Sequence, residues 1–279
     1  MDISIIVPVY KGNKYLNGIL RSISRNANLI KDVSIELILV NDCPECTLKY
    51  DSRYIDGFEF HSINNVKNLG IQGARVEGLK QAKGEYVLFL DQDDEIYDKA
   101  LFSQYQLVQG HDAVIANGYV EMPNGSKVKL FKNRRQQEKV NDIKYYFYIG
   151  NVIVSPGTTL LRRNIIPKVW SNNLLENNGA DDWLLWTSFL LDHKKFIINK
   201  DMLYVHRYTG KNLSNNIENM LISSREALDI LQSNSNVSEH FIKIHHRRLN
   251  MRATMNWNGK ALSYLMNPDI LVKLLAWKA

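Results

Sequence analysis

Gly84-Glu-Tyr-Val-Leu-Phe-Leu-Asp-Gln-Asp-Asp94 is the stretch that decides how the chain is read. Tyr86 to Leu90 form a short, nearly unbroken apolar run, the pattern of a strand buried on both faces of a parallel sheet. At its carboxyl end Asp91, Asp93, Asp94 and Glu95 crowd together. Like charges this close repel one another, and a divalent cation with hard oxygen ligands relieves the repulsion. A solvated acidic turn is the plainer reading of the same residues. Their position favours the metal, because ligands of parallel α/β sheets gather beyond the carboxyl ends of the strands.

Outward from this stretch the apolar pattern repeats. Ser4 to Tyr10 and Ile35 to Val40 read as buried strands, and Phe58 to Ile63 as a third candidate. Leu16, Ile19, Leu20 and Ile23 share one face of a helix over Asn13 to Ser24. Ala74, Val76, Leu79 and Ala82 do the same over Gly73 to Lys83, with Gly84 as the expected C-cap. Strands alternating with helices predict βαβ units. The residues then expected at the ligand edge are Pro8, Val9 and Tyr10 after the first strand, Asn41 and Asp42 after the second, and Asp91 to Glu95 after the fourth. Gly70-Ile-Gln-Gly73 reads as a loop that lets a phosphate approach a helix start, with Arg75 in the first turn.

Composition sets the limits. The 279 residues are 45% hydrophobic and 23% charged, which excludes a disordered chain, a fibre or a disulfide-built miniature. The net charge is +6, and its location matters more than its size. Residues 240–279 hold seven Lys/Arg against the single acid Asp269, so this segment carries the whole excess and the rest is neutral. Cys43 and Cys46, the two cysteines, are expected to be unpaired thiols of a reduced cytoplasm. Asp2 and Pro8 argue against a signal peptide. The charge-free stretch Tyr145 to Leu161 contains Gly150, Pro156 and Gly157, so it reads as strand and loop, and no transmembrane segment is expected.

Taken in order, several motifs resemble one family. They are Ile5-Ile-Val-Pro-Val-Tyr10 with Tyr15-Leu16; Leu39-Val-Asn-Asp42; Asn68-Leu-Gly70 with Ala74-Arg75 and Gly78-Leu79; the Gly84 to Asp94 segment; and Ala180-Asp-Asp-Trp183 with Leu185-Trp186. This ordered set resembles the family 2 glycosyltransferases, which have the GT-A fold. The resemblance implies an α/β fold: a GT-A type, Rossmann-like, mixed but mainly parallel sheet flanked by helices, with a C-terminal helical segment. Residues 1–215 would be the catalytic domain, with 1–95 binding the nucleotide sugar and 96–215 the acceptor, and 216–279 a basic helical segment. Three departures stand out: Asp42-Cys43-Pro44 where the family usually has Asp-Gly-Ser, Asp181-Asp182 where it has Glu-Asp, and His206 placed before Arg207.

The resemblance also implies roles. Asp42 would accept a hydrogen bond from the uracil imide, which favours a UDP-linked sugar donor. Pro8, Val9, Tyr10, Gly70, Arg75, Asp91, Gln92 and Asp93 would complete the donor site, with Tyr10 against the base and Arg75 beside the base or phosphates. Asp93, with Asp91 near it, would hold Mn²⁺ or Mg²⁺. Asp182 would be the general base on the acceptor hydroxyl, with Asp181 beside it. One base and no evident covalent nucleophile fit inversion by single displacement. The acceptor would be a glycan or a lipid-diphosphate-linked saccharide in polysaccharide assembly of the O-antigen or capsule type. Structural alternatives sit beside these roles: Asp42 as a turn residue, Arg75 as a solvated helix residue, Asp182 as a helix N-cap or first-turn acid, Trp183 or Trp186 as core rather than acceptor platform.

From about Asn216 helical signals take over. Asn267-Pro268-Asp269 reads as cap, first-turn proline and dipole-favoured acid. Ile270, Leu271, Leu274 and Leu275 share a face, and Ala261, Leu262, Leu265 and Met266 repeat the spacing. Such a basic amphipathic segment with Trp277 fits an anionic membrane surface through residues 240–279, a second subunit of a homo-oligomer, or the catalytic domain itself. On the membrane reading the protein is cytoplasmic and peripheral at the inner face of the plasma membrane. Two other function classes compete: a sugar-nucleotide nucleotidyltransferase on a similar fold, for which Lys11-Gly12 is a thin substitute for a Gly-rich loop, and a nucleic-acid-binding module, for which the body has no aromatic signature.

Overall fold

The computed structural model describes residues 1–30, 32–210, 215–254 and 260–279, without the side chains of 260–262. Its elements begin β1 (Ile3–Val9), α1 (Asn13–Leu29), β2 (Ile35–Asn41), β3 (Glu59–Asn64), α2 (Gly70–Gln81), β4 (Tyr86–Phe89), β5 (Glu95–Ile96), α3 (Ala100–Val108), β6 (Ala113–Glu121) and β7 (Lys127–Lys129). They continue with α4 (Arg134–Glu138), α5 (Ile143–Tyr148), β8 (Thr159–Arg162), α6 (Lys168–Asn172), α7 (Asp181–Leu191), β9 (Phe196–Arg207), α8 (Ile217–Asn234), α9 (Glu239–Thr254), α10 (Lys260–Leu265) and α11 (Pro268–Lys278).

The chain forms two compact units, interleaved in sequence. The first comprises Met1–Leu130, Val154–Ile166 and Phe196–Gly210, the second Phe131–Ile153, Pro167–Lys195 and Lys211–Ala279. All the described strands belong to the first. They make one mixed sheet in the order β3-β2-β1-β4-β8-β6-β9-β5, with β7 on β6. β1 pairs in parallel with both β2 and β4, and β2 with β3. β8 runs antiparallel to β4 and β6. The order 3-2-1-4 reverses direction beside β1, so the carboxyl ends of β1, β2 and β4 define the ligand edge.

The local reasons are direct. β1 and β2 are buried along their whole length, as expected of central strands covered on both faces. Pro8 is tolerated inside β1 because pairing with β4 ends at Ile6↔Phe89, so the missing N–H breaks no ladder bond. α1 runs five residues past the expected Ser24 because Asn26 is a buried polar member of its inner face. Its Nδ2 donates to Ser22 O and Tyr97 O at 2.9 and 3.1 Å, and its Oδ1 accepts from Leu101 N at 3.1 Å. α2 starts at Gly70 rather than Gly73, so Gly70-Ile-Gln-Gly73 is a first helical turn and not an open loop.

Gly84 is not a C-cap, since α2 ends at Gln81 with Ala82 capping. Gly84 serves a close approach instead. Its N–H donates to Ser4 Oγ at 2.8 Å, and Ser4 Oγ–H donates to buried Glu36 Oε1 at 2.5 Å. Tyr145 to Leu161 is likewise not strand and loop alone, because α5 covers its beginning.

In the second unit α5, α7, α8 and α9 pack on one another around Phe147, Trp170, Trp183, Trp186, Phe189 and Leu249, all buried. Both Trp183 and Trp186 are core, and Trp183 Nε1–H donates to Tyr146 O at 2.8 Å. Neither is an acceptor platform. α11 begins as read, with Asn267 at the N-cap and Pro268 in the first turn, though the Asn267 side chain donates to Ser263 O rather than capping. Ile270 is buried, while Leu265, Met266 and Leu275 are exposed. The side chains of Ala261 and Leu262 lie outside the described residues. Among the described residues no helix is long and apolar enough to cross a membrane.

A Cβ at Gly84 would lie 2.5 Å from the Ser4 backbone nitrogen and 2.8 Å from Ile3 C, and backbone cannot swing aside. Gly84→Ala is expected to lower folding stability by about 2–3 kcal/mol, read as a shift of the urea midpoint at unchanged slope. Wild-type stability of that variant would contradict the packing described.

Candidate functional site

The ligand edge of the first unit gathers residues from five segments. Asp42 follows β2 and is 4% exposed. Its N–H donates to Val9 O at 2.8 Å, which ties it to the end of β1. Its Oδ1 accepts from Asn65 Nδ2 and from Leu69 N, both at 2.8 Å, while Asn68 Nδ2 donates to its carbonyl at 3.1 Å. The carboxylate is thus oriented by the residues leading into α2, with Oδ2 left for a ligand donor such as a ring N–H. Pro8 and Val9 are buried and present backbone rather than side chain, whereas Tyr10 is 46% exposed at the mouth. Gln92 bridges this mouth to the acidic loop: its Oε1 accepts from Tyr10 N at 3.0 Å and its Nε2 donates to Tyr10 O at 3.2 Å. Gly12 makes the bridge possible, since a Cβ there would fall 1.9 Å from Gln92 Oε1.

The acidic loop is differentiated residue by residue. Asp91 Oδ1 accepts from Arg75 Nη2 at 2.6 Å and Oδ2 from Ser155 Oγ at 3.1 Å. Arg75 is 1% exposed, so it is neither a solvated helix residue nor a free cation beside the base; it compensates Asp91. Asp94, expected at the ligand edge but given no role in the donor site, is the most enclosed acid of this loop. Tyr204 Oη–H donates to its Oδ2, His206 Nδ1 lies 3.1 Å from the same oxygen, and Arg207 N donates to Oδ1 at 2.9 Å. Tyr204 and His206 reach it together because alternate residues of β9 share a face. Ser155 joins the two halves: its Oγ lies 2.6 Å from Tyr204 Oη and donates to Asp91 Oδ2. Glu95 pairs with Arg207 at 2.6 Å.

Among the described residues, Asp93 alone of this loop's acids has no hydrogen bond or ion pair with another side chain. Burial, then the charges of Asp94 and Asp91, lift its pKa to about 6. Burial works against a charged His206, but the hydrogen bond and charge of Asp94 and the nearby Asp91 and Asp93 outweigh it, raising His206 to about 9. A part-buried carboxylate crowded by like charge, beside a second carboxylate with fixed oxygens, is a donor set that suits a hard divalent cation.

Cys43 and Cys46 are not free thiols: they form a disulfide, with Cα atoms 5.2 Å apart. The Cys43-Pro-Glu-Cys46 turn brings them together, with Cys46 N donating to Cys43 O at 2.8 Å. Asn41 anchors the turn, its Nδ2 donating to Cys46 O at 2.7 Å and its Oδ1 accepting from Cys43 N at 3.2 Å. Asp181 and Asp182 belong to the second unit, where they occupy the first turn of α7 behind the N-cap Ala180. Neither is the cap. Asp181 is buried and Asp182 half-buried. The Lys211 to Ser214 part of the His206 segment lies outside the described residues.

The model of Glycosyl transferase family 2 matches residues 4–170, and the chain belongs to that family. The match stops before Asp181 and Asp182. The Bacillus spizizenii poly(ribitol-phosphate) beta-glucosyltransferase is 32% identical over 211 residues, which is 74% of this chain and 32% of that protein. The Staphylococcus aureus poly(ribitol-phosphate) beta-N-acetylglucosaminyltransferase TarS is 24% identical over 250 residues, 83% of this chain and 39% of that protein. The chain therefore spans between about a third and two fifths of the length of these curated relatives. The crystal structure of S. aureus TarS 1–349 in complex with UDP-GlcNAc matches with a TM-score of 0.66 at 21% identity, covering 99% of this chain and 80% of that one. That likeness bears out the mixed α/β sheet of GT-A type.

Crowding at Asp93 has a measurable consequence. Below about pH 3 the carboxyl is neutral in folded and unfolded chains alike. Between there and a folded pKa of about 6, the unfolded chain sheds the proton first, so the folded state carries a penalty that is complete above that range. Without divalent cations, Asp93→Asn is expected to raise stability at about pH 8 by on the order of 1 kcal/mol, after allowing for solvent screening, and to change almost nothing at about pH 3, well below the ordinary carboxylate pKa. Thermal unfolding at both pH values checks this; equal stability of variant and wild type at the higher pH would contradict the crowding.

Proposed function

We propose that the chain is an inverting, divalent-cation-dependent glycosyltransferase that moves a hexose or N-acetylhexosamine from a UDP-sugar to a hydroxyl of a cell-surface polymer. The observation that carries the reading is the pairing of two features at one sheet edge: a buried, oriented Asp42 with one free carboxylate oxygen, and an acidic loop in which Asp93 is left uncompensated. A uracil N–H donor suits the first and a metal-bound diphosphate the second. The UDP-GlcNAc bound in the similar TarS structure supports a UDP-linked donor, and the relatives' names make a polyol-phosphate polymer the first acceptor to test, with glycan and lipid-diphosphate-linked acceptors after it.

Asp93, with Asp91, would hold Mn²⁺ or Mg²⁺. When bound, the cation supplies neutralisation of charge on the leaving diphosphate. Every other task falls to the chain. Asp42 selects and orients the base, helped by the exposed ring of Tyr10. Gln92 fixes the end of β1 against the acidic loop, so that base and diphosphate are held in one register. Arg75 fixes the direction of the Asp91 carboxylate, and the Tyr204–His206–Asp94 group keeps the far side of the loop rigid. Asp182 takes the proton from the acceptor hydroxyl as it attacks the anomeric carbon, and the carbon–oxygen bond to UDP breaks in the same displacement. The buried Asp181 positions that turn.

Transfer is measured as UDP release from a panel of UDP-hexoses with a polyol-phosphate acceptor, with and without Mn²⁺ or Mg²⁺. Wild-type protein is expected to require the cation. Asp93→Ala is expected to lose activity by about 10²-fold or more through weaker donor binding, and Asp182→Asn to lose about 10²–10⁴-fold in kcat with donor binding intact. Cation-independent transfer, or both variants working at the wild-type rate, would overturn the reading.

A further inference from the structure

The second unit contains a cavity that the glycosyl-transfer reading does not use. It has a volume of about 240 Å³ and is lined by Tyr148, Arg248, Arg252, Tyr264, Ile270 and Leu274, from α5, α9, α10 and α11. Arg248 is 94% buried, being 6% exposed. A buried charge is ordinarily paired, because water cannot compensate it there. Arg248 is not. Its Nη1 donates to the carbonyl of Ile149 at 3.2 Å, its Nη2 lies 3.4 Å from His245 Nε2, and its Nε has no partner. Neither neighbour carries a compensating charge. Burial, followed by the charge of Arg248, holds His245 well below its ordinary pKa and hence neutral.

The surroundings add positive charge rather than removing it. Arg252 lines the same cavity, is exposed, and has no carboxylate within ion-pair distance among the described residues. Lys273 stands over the rings of Tyr145 and Tyr148 at 5.7 and 5.9 Å. The local acid, Asp269, is already paired with Arg247, and both charges act on Tyr148 of the cavity wall in opposite directions. Room for the guanidinium is built into the backbone: Gly150 has φ +107°, and a Cβ on it would lie 2.7 Å from Arg248 Nη1. Burial and the neighbouring Arg252 depress the Arg248 pKa to about 9, the direction an unpaired cation is driven when its counter-ion is missing.

We propose that this cavity is an anion site that takes a phosphate-class oxyanion, gripped by the forked donors of Arg248 and Arg252. A guanidinium fork matches tetrahedral phosphate oxygens in pairs. The hydroxyls of Tyr148 and Tyr264 are further donors on the wall, and the apolar side chains of Ile270 and Leu274 suit an organic substituent. Arg252, on the exposed side, gives the anion its way in. The chemistry is shared by a free phosphate and by a phosphodiester within a larger molecule, and the site stands whether or not the proposed donor and acceptor are right.

The test uses the full chain and two probes, inorganic phosphate and dimethyl phosphate, at constant ionic strength against chloride. Binding is followed by calorimetry and by the rise in unfolding temperature. Wild type is expected to bind saturably. Arg252→Gln, a surface change that leaves the fold intact, is expected to weaken binding about fivefold or more, and Arg248→Lys, which keeps the charge but loses the fork, about tenfold or more. Binding of both probes assigns the site to a phosphodiester and binding of inorganic phosphate alone to a free phosphate; both outcomes support it. Should Arg248→Lys fail to fold, Arg252→Gln decides. Absence of saturable binding in wild type, or equal affinity in wild type and Arg252→Gln, overturns the proposal, the latter because phosphate held at the acidic loop would not sense Arg252.

Discussion

Carboxylates massed at the end of a buried strand must each find a counter-charge, a hydrogen-bond donor or a proton, and the first unit is organised around that requirement. Asp91 finds Arg75 and Ser155, Asp94 finds Tyr204, His206 and the Arg207 amide, and Glu95 finds Arg207. Remove one partner of such a buried pair and about 3–5 kcal/mol is lost, because the other charge is stranded. The sheet order follows the same need. β9 lies at the far side of the sheet from β1 in sequence, yet it must return beside β5 to deliver Tyr204 and His206. Asp93 is the acid of this loop without a side-chain hydrogen-bond partner among the described residues; burial and the charges of Asp94 and Asp91 raise its pKa to about 6, with the charge of His206 opposing them.

The second constraint is orientation of Asp42. Its carboxylate is fixed by Asn65 and by the Leu69 amide, so the turn into α2 and the end of β2 behave as one piece. The disulfide turn after it, anchored by Asn41, closes the other flank of the same residue. Gln92 then couples the β1 end to the acidic loop through two backbone bonds that only a glycine at position 12 permits. The Asp42 carboxylate and the acidic loop are thereby each fixed by hydrogen bonds and coupled through the end of β1.

Legibility in the sequence tracked the range of the interactions. β1, β2, β4 and the acidic cluster were readable because apolar runs and contiguous charges are local signals, and the position of Asp42 followed from the sheet type. Partners were not readable. Tyr204 meets Asp94 across 110 positions and Ser155 meets Asp91 across 64, and nothing in either local pattern announces the meeting. Arg75 looked like a helix surface residue because helical periodicity cannot tell a buried ion pair from a solvated charge. The cysteines looked free because two residues are too few for a framework, whereas the proline-bearing turn between them brings their Cα atoms within 5.2 Å. α1 continues to Leu29 past the expected Ser24, where Asn26, a polar residue on the buried face, is hydrogen-bonded to Ser22, Tyr97 and Leu101.

The central claim is that Asp93 is the acid left open for a cation that joins protein to nucleotide diphosphate. Titration of UDP into the full chain by calorimetry, with and without saturating Mn²⁺, tests it without any need to know the sugar or the acceptor. The account predicts that Mn²⁺ tightens UDP binding by roughly tenfold or more in wild type, and that this gain disappears in Asp93→Asn while cation-free binding persists through Asp42. UDP binding that is indifferent to Mn²⁺ in wild type, or equally enhanced by it in Asp93→Asn, would contradict the account.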